Sequence, residues 1–395
     1  MSDLARSSGR LRVLVVCIPV TGHINPLVPI IEAHLAAGDD VLVATGSDVE
    51  RAVLDTGARL AIVGHGFGTW FERLAARTRA LPGDGVASDR ILGYFLPRVF
   101  GEAAIDDMVD GVLRTATDFG PDVIVFDTFA LAAPLVADIL DVPSVQIPIT
   151  LPLAPALLDM IDDAVCPTWR AFGRQSPGRA GLYAGVTADI WPETLGVADV
   201  DGGTRLSVRP SPTPIAPPCP TDVPTVYVTL GTMYGGATHV FAEVLRGLAG
   251  EPVQLVVTVG ADQDPAALEG IAPNARVERY VPQAELLPTC SAVVHHGGSG
   301  TMFGALAHGL PQVVLPQGAD NYVNADAVSA AGLGLALRPD ALSDSAVRDA
   351  VRSVLSEPRF GDAARGAAAQ IAAMPSAAEL VAAVRQDVRV PVAML

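Results

Sequence analysis

Residues 292 to 308 read AVVHHGGSGTMFGALAH. Ala292 to His295 has the bulk of a short strand, His296-Gly297-Gly298-Ser299-Gly300-Thr301 follows at once, and a helical stretch runs from Met302 to His308. Consecutive glycines let the backbone approach an anion closely, and the amides at the following helix N-terminus, with the Ser299 and Thr301 hydroxyls, can hydrogen-bond it. In physical terms this is a diphosphate site at the end of a strand. It is neither a GxGxxG dinucleotide fingerprint nor a Walker A loop, since the latter needs lysine and all 26 basic residues are arginine.

Outward from that block, strand-like apolar runs alternate with helical stretches. Thr225–Leu230, Val253–Val259 and Gln312–Leu315 do so in the second half, and Leu11–Ile18, Val41–Ala44, Val123–Phe126 and Val145–Ile147 in the first. Continuous apolar strands between helices predict parallel sheets covered on both faces. Between the halves, residues 209–224 (RPSPTPIAPPCPTDVP) hold proline too densely for helix or sheet interior. The expected organisation is therefore a domain over 1–208, a linker over 209–224, a second domain over 225–375, and a closing helix and tail over 376–395 that packs back on the first domain. Two Rossmann-like halves with parallel sheets would face a central cleft.

Composition narrows the partners. A net charge of −17 opposes nucleic acid, so a small molecule is the expected partner. Cys17, Cys166, Cys219 and Cys290 have neither disulfide-framework nor metal-ligand spacing. No apolar run approaches the length of a membrane span, and the N-terminus is polar, so a cytoplasmic protein without membrane contact is expected. A homodimer stays among the options. The triplets Asp199-Val200-Asp201 and Asp262-Gln263-Asp264 sit among turn residues and read as local hydrogen-bonding acids, and no metal site is expected.

With the block from Tyr280 to Asp326 in view, the chain resembles the family 1 glycosyltransferases of the two-domain GT-B fold, above all bacterial enzymes that glycosylate antibiotics and other natural products. The resemblance covers essentially the whole chain. It implies a nucleotide-sugar cosubstrate and no cofactor, with the diphosphate held by His295, Gly297, Gly298, Ser299, Gly300 and Thr301. It also implies a base-binding turn at Tyr280, Val281 and Gln283, a second phosphate contact at Gly231 and Thr232, and sugar contacts from Asp320 and Asn321. Members that use UDP-sugars carry a Glu for the two ribose hydroxyls, and the matching position is read here as Phe303. A carboxylate suits a vicinal diol, so its absence points to deoxyribose and a dTDP-sugar. Asn321, where the family has Gln, points to a deoxysugar or amino sugar.

Gly22-His23-Ile24-Asn25-Pro26 follows the first strand and is similar to the family's catalytic loop. An acceptor hydroxyl needs a base, neutral imidazole suits the task, and Pro26 can sit in a first helical turn. Asp127, closing Val123–Phe126, stands at the place of the orienting acid, although a capping role would also account for it. Phe67, Trp70, Phe71, Tyr94, Phe95 and Phe100 fall where acceptor loops are expected, and core packing should claim half or more of them. The resulting expectation is inverting, metal-independent transfer. A nucleotide-sugar 2-epimerase of the same fold is the rival enzyme, disfavoured by the GHxNP loop and the aromatic region. A catalytically silent partner of another transferase is disfavoured by an intact His23 and Asp127.

Overall fold

The computed structural model describes residues 9–77, 93–197, 202–210, 223–231, 237–260 and 263–387. It divides into two compact units, one made of Met1–Ile190, Asp199–Arg209 and Pro375–Leu395, the other of Trp191–Ala198 and Pro210–Met374. Most of the proline-rich stretch, the Asp199–Asp201 triplet, Asp262, Thr232 and residues 388–395 lie outside the described residues. Trp191–Ala198 belongs with the second unit, where Gln370 Oε1 accepts from the Thr194 N–H at 2.9 Å and its hydroxyl at 2.7 Å.

In the first unit the strands are β1 (Arg12–Val16), β2 (Asp40–Thr45), β3 (Arg59–Ile62), β4 (Val123–Asp127), β5 (Ser144–Ile147), β6 (Val186–Asp189) and β7 (Arg205–Ser207). They lie in the order β3-β2-β1-β4-β5-β6-β7, parallel throughout. The second unit holds β8 (Thr225–Thr229), β9 (Gln254–Thr258), β10 (Ala275–Glu278), β11 (Ala292–His295), β12 (Gln312–Val314) and β13 (Gly334–Ala336). Their order is β10-β9-β8-β11-β12-β13, again all parallel. The central strands are apolar along their length because helices cover both faces, and β4 is buried from end to end. Strand order reverses between β1 and β4 in one sheet and between β8 and β11 in the other, where the loops leaving adjacent strands part to opposite faces and open a crevice.

The last described helix, Ala377–Asp387, packs on helix Thr21–Ala36 of the first unit. The fully buried Asp39 side chain accepts from the Leu11 N–H at 2.9 Å, from His34 Nδ1 at 2.8 Å, and from the Arg385 guanidinium, which also donates to the Gly9 carbonyl. Burial alone would raise the Asp39 pKa, but these hydrogen bonds outweigh it and hold the carboxyl below its usual range. Arg385→Ala leaves that charge short of its partner and is expected to destabilise the first unit by about 2 kcal/mol, with faster hydrogen exchange over 377–387. Because the folded pKa is depressed, the contribution is present above about pH 4 and is lost as pH falls through the folded value. The stability gap between wild type and variant should therefore narrow in acid, and equal melting temperatures at pH 7 would refute the clamp.

Candidate active site

In the first unit, helix Thr21–Ala36 follows β1 after a short connection over residues 17–20, with the His23 N–H at 2.8 Å and the Ile24 N–H at 3.1 Å from the Val20 carbonyl. His23 thus lies in the first helical turn, while Pro26 falls inside the helix rather than in its first turn, as does Pro29. Lacking N–H groups, both leave a carbonyl one turn back without its usual partner. Asp127 is the last residue of β4, fully buried, and its carboxylate is ringed by donors. Oδ2 accepts from the Ile18 N–H at 2.8 Å, and Oδ1 from the Phe129 N–H at 2.8 Å and from His23 Nδ1 at 2.9 Å. With Nδ1 carrying the proton toward Asp127, the basic lone pair of His23 sits on Nε2. The neighbouring Cys17 thiol is pushed well above its usual range, by burial first and then by the Asp127 charge, and is no nucleophile.

Aromatic rings extend away from His23. Phe129 and Phe100 lie 5.8 and 6.0 Å from the imidazole and stack on each other at 4.5 Å. Phe67 follows at 6.3 Å from Phe100, Phe71 at 5.0 Å from Phe67, Phe95 at 6.0 Å from Phe71, and Tyr94 at 5.5 Å from Phe95. Phe100 is aimed at His23 from a π-helical stretch, Pro97–Ala104, a wide turn that often marks functional positions. Trp70 departs from expectation: it is fully buried in the core and its indole N–H is committed to Asp107 at 3.1 Å. Phe129 escaped the sequence reading, although it stands two residues after Asp127.

The second unit carries the glycine-rich loop. Gly297 has φ +95°, and a Cβ there would stand 2.8 Å from the Asn321 carbonyl oxygen, so only glycine fits. The His296 ring lies between two other glycines, and a Cβ on Gly231 or on Gly298 would come within 2.5 Å of it. His295 does not take the phosphate-facing place expected of it. Its ring is fully buried, Nε2 sits 2.7 Å from Gln312 Oε1, and Nδ1 accepts from the Gly297 N–H at 3.1 Å. As the last residue of β11 it packs on one face of the sheet against Gln312 of the neighbouring β12, and the next residue, His296, turns toward the loops. Burial lowers His295 to about 4, and burial together with the nearby His295 lowers His296 to about 3, so both rings are neutral at pH 7.

Helix Ser299–Ala307 starts at Gly298 without a side-chain cap, which suits its first amides to an anion. The Ser299 hydroxyl donates to Asp320 Oδ2 at 3.0 Å, whereas the Thr301 oxygen accepts from Gln283 Nε2 at 3.1 Å and keeps its own proton. Tyr280 is 68% exposed, so its ring is open to stacking, and Val281 packs inward. Phe303 is buried at 4% exposure. The position that does face Gln283 is Gly304, where a Cβ would lie 3.6 Å from Gln283 Oε1 and 3.1 Å from Leu287 Cδ1. Asn321 is also buried, with Oδ1 accepting from the Gly318 N–H at 3.3 Å and Nδ2 3.4 Å from Asp320 Oδ1, so its amide serves the loop. Asn324 was not foreseen, although its i+4 spacing from Asp320 put it on the same helix face. Among the described residues no three His, Cys, Asp or Glu side chains converge as metal ligands, and Asp264 caps a short helix by accepting from the Ala266 N–H at 3.2 Å. Among them, too, no single helix is long and apolar enough to cross a membrane.

Residues 242–386 match the family described as erythromycin biosynthesis protein CIII-like, C-terminal domain. Over 388 residues the chain is 31% identical to the elloramycin glycosyltransferase ElmGT of Streptomyces olivaceus, covering 94% of this chain and 96% of that protein. It is 32% identical over 403 residues to 4'-demethylrebeccamycin synthase of Lentzea aerocolonigenes, covering 88% and 93%. Among solved structures, the spinosyn rhamnosyltransferase SpnG complexed with spinosyn aglycone superposes with a TM-score of 0.78 at 27% identity, covering 95% of this chain and 100% of that one.

Proposed function

The chain belongs to the family 1 natural-product glycosyltransferases of GT-B fold, and from that premise we propose that it transfers a deoxysugar from thymidine diphosphate to a hydroxyl of a natural-product aglycone with inversion. The observation that carries this reading is the pair formed by His23 and the buried Asp127 at the point where strand order reverses. In the first unit, His23 Nε2 takes the proton of the acceptor hydroxyl, and Asp127 steadies the imidazolium that results. The acceptor oxygen bonds to the anomeric carbon from the face opposite the diphosphate. The bond from that carbon to the diphosphate oxygen breaks, and its electron pair leaves with the phosphate.

In the second unit, that developing charge falls to the first-turn amides of Ser299, Gly300 and Thr301, the Thr301 hydroxyl and the His296 ring, with Gly231 giving the ring its room. The exposed Tyr280 ring supplies a surface for the base. These donors can do the work of a divalent cation. The deoxyribose reading rests on helix Ser299–Ala307, which carries no carboxylate to engage a ribose diol. The deoxysugar reading draws on a relative named as a rhamnosyltransferase, rhamnose being a 6-deoxysugar.

Calorimetry with dTDP and UDP in EDTA tests the reading. dTDP should bind at least as tightly as UDP, and turnover should persist in the chelator. UDP binding more than about tenfold tighter would sink the deoxyribose argument. Activity lost in EDTA and restored by Mg²⁺ would sink metal independence.

A further inference from the structure

Asn324 is fully buried on helix Asn321–Ala330, one turn beyond Asp320. Its Nδ2 lies 2.8 Å from the Gly297 carbonyl oxygen, 3.0 Å from Ser299 Oγ and 3.2 Å from Asp320 Oδ2. Ser299 in turn donates its hydroxyl proton to the same Asp320 oxygen. An amide has two protons for these three acceptors, so one rests on Gly297 and the other is shared between Ser299 and Asp320. Asp320 Oδ2 is thereby committed inward, while Oδ1 of this partly exposed residue meets Asn321 only at 3.4 Å.

We propose that Asn324 is a positioning residue for the donor: its buried amide ties Asp320 to the Gly297–Ser299 loop and so fixes where a sugar hydroxyl is held relative to the diphosphate. The inference rests on the reading of this unit as the donor site. The loop supplies amides to the phosphates, Asp320 Oδ1 supplies an acceptor to the sugar, and the amide between them sets their separation. Positioning of this kind acts on the sugar more than on the nucleotide, because the helix amides need no side chain to reach phosphate. Ser299 is the second half of the tie, so its removal should copy the effect without opening a large cavity.

The test is calorimetric, with dTDP and dTDP-L-rhamnose as probes on wild type, Asn324→Ala, Asn324→Asp and Ser299→Ala. Wild type should bind the sugar nucleotide more tightly than dTDP. In Asn324→Ala and Ser299→Ala that advantage should fall by about fivefold, the worth of one net hydrogen bond, while the Kd for dTDP moves far less. Asn324→Asp keeps the shape but sets two carboxylates side by side. Its sugar advantage should be lost at pH 8 and return as the pH is lowered and one carboxyl regains a donating proton. Parallel loss of dTDP and dTDP-L-rhamnose affinity, an unchanged ratio, or no advantage of the sugar nucleotide in wild type overturns the proposal. Wild type that binds no dTDP at all would instead remove the donor-site reading beneath it.

Discussion

His23→Ala lowers kcat by about 10²- to 10⁴-fold while the Kd for dTDP stays near its wild-type value, because the base and the nucleotide loop belong to different units. The expected loss is that of a positioned proton acceptor, since the other basic group beside the ring, the Asp127 carboxylate, is fully buried and tied to the Ile18 and Phe129 amides. Phe100 and Phe129 have no basic atom, and the Cys17 thiol is held protonated. Asp127→Asn should slow turnover by a similar or smaller factor and also lower Tm. Asp127 Oδ1 and Oδ2 both receive N–H donors, so an asparagine NH₂ must confront either the Ile18 N–H or the pair from Phe129 and His23. Steady-state kinetics at saturating donor, with calorimetry on the same preparations, separates the effects. Wild-type kcat in His23→Ala would end its role as base.

The second large effect is expected on nucleotide choice. In Gly304→Glu the affinity for UDP relative to dTDP should rise by about 10- to 150-fold, which corresponds to about 1.5 to 3 kcal/mol for one charged hydrogen bond to the 2'-hydroxyl. Residue 304 faces Gln283, and the closest obstacle to a Cβ is the tip of the Leu287 side chain, which can move aside. The substitution also removes a helix-interior glycine. Phe303→Glu is the contrasting variant. It would bury an unpaired carboxylate, so it should destabilise the protein without altering preference. If Gly304→Glu leaves the UDP to dTDP ratio unchanged, the ribose is read from another element.

The parallel sheets were legible because strands covered on both faces must be apolar along their length, and the two site loops because glycine beside histidine or serine at a strand end is chemically conspicuous. What escaped was orientation. His295 and His296 are adjacent, and only the strand's alternation, whose phase no local pattern fixes, decides which packs against Gln312 of the neighbouring strand. Trp70 could have been placed better: Phe67, Trp70, Phe71 and Leu74 repeat at i, i+3, i+4 and i+7, the spacing of a core stripe. Asn324 showed only as a polar residue one turn past Asp320, because its other two acceptors, on Gly297 and Ser299, stand 27 and 25 residues earlier in the chain.

The clamp on Asp39 also bears on how the chain is made. Asp39 and Arg385 stand 346 residues apart, and at about 5 to 20 residues per second the ribosome needs roughly 17 to 70 s to travel from one to the other. Throughout that interval the nascent first unit has only His34 and the Leu11 amide to offer the aspartate, and the face of helix Thr21–Ala36 that will receive Ala377–Asp387 stands uncovered. Almost all of the second unit emerges in the meantime, so the half of the protein begun first at the ribosome is the half completed last.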